Sequence, residues 1–113
     1  MLNEMALEIN TIAVEKGFWE EGKDRDPAAV LMLIVSEAAE ALEEIRDGKD
    51  LSELSFTLDK NDVLKPVGVP SEMADIIIRV LDACHMWEID IDDAVREKIN
   101  YNRTRPHKHG RTM

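Results

Sequence analysis

Apolar residues recur at helical spacing along the first sixteen positions. Leu2, Met5, Ile9, Ile12 and Ala13 form one stripe, which predicts a helix from about Leu2 to Lys16. Gly17 is a suitable stop, and GFWEEGKDRD then reads as a loop. Asp26-Pro27 opens a second helix, since an Asp side chain caps free N–H groups and Pro fits the first helical position. This helix should run to about Asp47 and end at Gly48. Residues 48–70 mix Gly, Pro, Asn and Asp with short apolar pieces. They predict a long irregular connection, with a hairpin around SFTLDKNDVL as the lesser alternative. A connection of that length in a small domain is either functional or mobile. Ser71 is the expected cap of a third helix, about Glu72 to Trp87. Asp90 or Asp92 should cap a fourth, reaching about Tyr101, before a basic, irregular tail at 103–113 that contains Pro106 and Gly110.

The third helix is apolar around most of its circumference, from Met73 through Ile76, Ile77 and Ile78 to Leu81 and Met86. Such a helix is buried on more than one side, and four short helices offer little to cover it. The expected fold is therefore all-α. It is a single domain over residues 1–113, a small four-helix bundle that completes its core by oligomerisation as a dimer or tetramer.

Composition agrees. The chain has 113 residues, 44% hydrophobic and 34% charged but only 4% aromatic, which suits a helical protein built from Leu, Ile, Val, Ala and Met. A net charge of −10 argues against nucleic acid or an anionic membrane as partner. The charge is uneven: residues from Arg96 onward carry +5 and the rest −15. No basic-then-apolar leader is evident, and no apolar run approaches the roughly 20 residues of a membrane span. A cytoplasmic location is expected. Cys84, the single cysteine, sits in an apolar helical run and reads as a core residue.

Against this background two acidic pairs stand out: Glu37-x-x-Glu40 in SEAAEALEEIR and Glu72-x-x-Asp75 in SEMADIIIRVLD. A spacing of three puts both carboxylates of a pair on one helical face. Glu37, Glu40, Glu44 and Asp47 form a stripe on the second helix; Glu72, Asp75, Arg79 and Asp82 form one on the third. Traced backwards, the former turns apolar at Leu33 and Val30, unlike a purely solvated face. Two such faces opposed would gather four carboxylates, an arrangement that calls for a hard divalent cation such as Mg2+. A wet acidic face explains either pair alone, and the helix dipole favours acids in a first turn whatever their function.

The E-x-x-E, long gap, E-x-x-D pattern resembles the MazG-like branch of the all-α nucleotide pyrophosphohydrolase superfamily. SEAAEALEEIR, GVPSEMADIIIRVLD, KINYNRTRPHKHG and GFWEEG carry the resemblance, over most of residues 12–110 except 50–65. It implies Mg2+-dependent (Mn2+ possible) cleavage of a nucleoside triphosphate to a monophosphate and pyrophosphate. Glu37, Glu40, Glu72 and Asp75 would then be the catalytic, metal-holding residues. Lys98, Tyr101, Asn102, Arg103 and Arg105 would bind substrate, with Lys98 and Asn102 foremost. Cations near a helix C-terminus are also favourable without any ligand. Trp19 would stack on the base; the ordinary alternative is an aromatic plug for the bundle. Lys23 would add a further contact to phosphate or base.

Other chemistry has less support. His107 and His109 lack companions for a zinc site, Asp82-x-x-His85 is only half of a di-iron motif, and no phosphate-binding G-x-x-x-x-G-K-[ST] loop is present. Two further possibilities stay open. One is a related pyrophosphatase acting on dUTP or phosphoribosyl-ATP; the other is a non-catalytic acidic helical module for protein interaction.

Overall fold

Asp26 caps as its position predicts. Its side chain accepts from the Ala28 N–H at 3.1 Å, and Pro27 is the first residue of the following helix. The computed structural model describes residues 1–19 and 25–106. Along them run α1 (Leu2–Glu15), α2 (Pro27–Arg46), β1 (Ser55–Leu58), β2 (Leu64–Val67), α3 (Val69–Met86) and α4 (Ile91–Thr104). The fold is mostly helical. This agrees with the expected all-α class; one correction is that residues 55–67 form a small antiparallel hairpin, the lesser alternative, rather than an irregular connection. Asp59 makes its turn: Oδ1 accepts from the Asn61 and Val63 N–H groups, which frees the chain to reverse.

The third helix also begins earlier than expected. Its N-cap is Gly68, so Ser71 lies inside the first turn. Gly68 has φ of 110°, and a Cβ there would stand 2.7 Å from the Glu53 carbonyl oxygen. Only glycine fits both the backbone angle and this crossing of the hairpin base. Asp90 caps α4 by accepting from the Asp93 N–H at 3.1 Å. Asp92 caps a different helix, since its carboxylate accepts from the Leu2 and Asn3 N–H groups at the start of α1.

α3 is the central helix, with α1 and α2 as its main neighbours, while α4 leans on α1. Both neighbours run antiparallel to it. Asn3 meets Asp90 while Asn10 meets Asp82, and Arg79 meets Glu37. The core cluster joins Trp19, Val30 and Ala83, with Ala13, Met86 and Trp87 packed around it. Cys84 is buried as expected. Among the described residues, no large side chain is fully enclosed. The radius of gyration is 17.1 Å, against about 13 Å for a compact chain of this length. The surface is 8854 Å², against about 6,300 Å² for a compact monomer of this mass.

Candidate functional site

The antiparallel register of α2 and α3 brings the two acidic stripes face to face. Glu37, Glu40 and Glu72 each offer an oxygen, and the three oxygens lie within 4.8 Å of one another. Opposite ligands of one hard divalent ion stand about 4–5 Å apart, so the set has the span of a single ion. Asp75 lies one turn from Glu72, against Glu37. The same register places Leu33 and Val30 by Arg79 and Asp82, lining a small recess with Phe18 and Trp19.

The electrostatics of the cluster are strained. Burial, then the charges of Asp75 and Glu40, push Glu72 up to about 7. Its Oε2 is buried without a hydrogen-bond partner. Burial, followed by the Glu37 charge, also raises Asp75, which Arg79 partly offsets. Arg79 Nε donates to Glu37 Oε1 at 3.0 Å, the carboxylate buried and the guanidinium side chain partly exposed. Its guanidinium also faces the Phe18 ring at 5.2 Å. An orphaned carboxylate oxygen among acids is a group short of a proton or a cation. The donor set is all oxygen, which suits Mg2+.

Beside the cluster is a cavity of about 420 Å³, between the C-terminal half of α1 and the middle of α3. Ile9, Ile12 and Ile78 give it an apolar wall, while Lys16, Glu37, Asp75, Arg79 and Asp82 give it charge. Asp82 is 5% exposed. It accepts from Asn10 Nδ2 at 2.9 Å and from Trp19 Nε1 at 2.7 Å, tying α1 and the following loop to α3.

The structure therefore brings Glu37, Glu40 and Glu72 within the span of one ion, with Asp75, the expected fourth ligand, beside Glu37 but outside that set. It does not bring the expected substrate-binding residues there. Trp19 is 5% exposed with its N–H committed to Asp82, so it fills the core rather than offering an open ring face. Lys98, Tyr101, Asn102 and Arg103 lie exposed on α4, and Arg105 is its C-cap. None of the five lines the cavity. Lys98 Nζ does sit 5.9 Å from the Tyr101 ring centroid, so those two share a face. His85 is exposed. Lys23, His107 and His109 lie outside the described residues.

Sequence reasoning assigned no role to Arg79, Lys16 or the Asn10–Asp82–Trp19 link. The one available signal was the place of Arg79 and Asp82 on the same stripe as Glu72 and Asp75. Compared with protein-family models, curated proteins and solved structures, the chain gives no match. The MazG-like resemblance stands on its motifs alone. Among the described residues, no helix is long and apolar enough to cross a membrane.

Proposed function

We propose that this chain is a cytoplasmic, homo-oligomeric nucleoside triphosphate pyrophosphohydrolase of MazG-like type, requiring Mg2+ or Mn2+ and clearing unwanted (d)NTPs from the nucleotide pool. The observation that carries this reading is the convergence of Glu37, Glu40 and Glu72, with Glu72 Oε2 orphaned among them. These three carboxylates would hold the ion. Bound there, Mg2+ would offset phosphate charge and lower the pKa of a coordinated water.

The remaining steps belong to the chain's own groups. Asp75, raised by burial and by Glu37, is the carboxylate to orient water and take its proton. Lys16 and Arg79 on the cavity wall would receive phosphate oxygens, and the apolar wall of Ile9, Ile12 and Ile78 would take the organic part. In one chain the α4 residues Lys98, Tyr101, Asn102, Arg103 and Arg105 do not line this cavity. Their part in substrate binding requires a second copy to bring them there.

The test is pyrophosphate release from a panel of canonical and modified (d)NTPs, including dUTP and phosphoribosyl-ATP, with and without Mg2+. Metal-dependent release from at least one, lost in Glu40→Gln, is the expected result. Equal turnover in Glu40→Gln would sink the metal assignment. One observation favours the rival reading of a non-catalytic acidic module: Arg79 already compensates Glu37. Silence across the whole panel would support that alternative.

A further inference from the structure

The hairpin carries an apolar face that the described residues leave bare. Its register pairs Ser55 with Val67, Phe56 with Pro66, Thr57 with Lys65 and Leu58 with Leu64. Cross-strand partners share a face, and faces alternate along a strand. One face is therefore Phe56, Pro66, Leu58 and Leu64, while the other holds Thr57 and Lys65. Phe56, Leu58 and Leu64 are 56%, 62% and 66% exposed. The main contact between hairpin and helices is β2 with α3, which follows it directly. A lone two-stranded hairpin is marginal in water, and its open edges invite pairing unless covered.

The helices expose apolar residues as well. Leu31, Val35 and Leu42 on α2 and Met73 and Ile77 on α3 are each close to half exposed. The chain also shows about 2,600 Å² more surface than a compact monomer of its mass. A stable interface needs about 800 Å² from each partner. A two-fold pairing would cover each hairpin with the other chain's helices and close both deficits at once. We infer that the β1–β2 hairpin is a clasping arm whose Phe56–Pro66–Leu58–Leu64 face docks on a second copy of this chain. This rests on the homo-oligomeric part of the proposed function but not on its carboxylate chemistry: a monomeric wild type sinks both, whereas assembly indifferent to the hairpin face sinks the arm alone.

Sedimentation equilibrium on the full chain tests this. The wild type should have at least twice the 12.8 kDa chain mass. Phe56→Asp/Leu64→Asp should raise the dissociation constant at least tenfold with far-UV helicity retained, while Lys65→Glu on the opposite face should leave it unchanged. A monomeric wild type at 100 μM, or a double variant that assembles as the wild type does, would overturn the inference. Hydrogen exchange on the wild type gives a second readout that needs no variant. Hairpin amides should lose protection on dilution to monomer; the same protection at every concentration would count against the arm.

Discussion

Glu72 holds the most unfavourable position among the acids of this chain. Its carboxyl is pushed up to about 7 from 4.5, first by burial and then by Asp75 and Glu40. The folded state thus keeps a proton that the unfolded state has released. Between about pH 4.5 and 7 this group makes stability fall as pH rises, and above 7 its effect is level. Denaturant unfolding of the metal-free protein at pH 5, 6 and 7.5 should show that decline, and Glu72→Gln should flatten it. In the proposed hydrolysis Asp75 has a different task, and Asp75→Asn should lower kcat by about 10²- to 10⁴-fold with little change in KM. An unchanged kcat would remove Asp75 from the chemistry. What the sequence displayed at this scale was local. A spacing of three within one helix announces a shared face, so both acidic pairs were legible. The partner of Asp82 was not: Trp19 is 63 residues away, and no spacing rule reaches that far.

Helices were legible where their ends are chemically marked. Asp26-Pro27 and Asp90 cap α2 and α4 as their residue types dictate. The start of α3 is not legible locally, because Ser71 is a stronger cap by type than Gly68. The deciding facts, the 110° φ of Gly68 and the nearby Glu53 carbonyl, are tertiary. Gly68→Ala should therefore cost about 1–3 kcal/mol, read as a lower denaturation midpoint; an unaltered midpoint would mean the hairpin base yields freely. The hairpin was only half visible, because Pro66 interrupts the alternation that marks a strand. Among the described residues no third strand joins the pair, so Pro66 stays at an edge, where a missing N–H is tolerated. The segment that follows α1 is anchored at Trp19 by its bond to Asp82. Trp19→Phe keeps the bulk but strips one buried carboxylate oxygen of its donor. The expected loss is about 1–3 kcal/mol in an unfolding titration, and a silent substitution would show that water replaces the indole.

Across the whole molecule, one central helix carries both the acidic cluster and the cavity wall. Facing α2 it presents Glu72 and Asp75; facing α1 it presents Asp82 and the cavity wall. The apolar circumference of α3 correctly announced a helix with neighbours on more than one side. Met73 and Ile77 nevertheless stay exposed in the single chain, and the proposed homo-oligomer would cover them. The match of 37 with 75 and 40 with 72 depends on how residues 47–68 turn the chain back, which no local pattern encodes. That register turns two acidic stripes into one site, so a cation's affinity for the opposed carboxylates is the quantity to measure. Calorimetry at pH 7.5 should titrate Mg2+ into the protein with a non-hydrolysable nucleoside triphosphate analogue, beside Glu40→Gln. Saturable binding at millimolar Mg2+ or below, weakened at least tenfold in the variant, is the predicted result. No metal-linked heat, or identical isotherms for both proteins, would contradict the site.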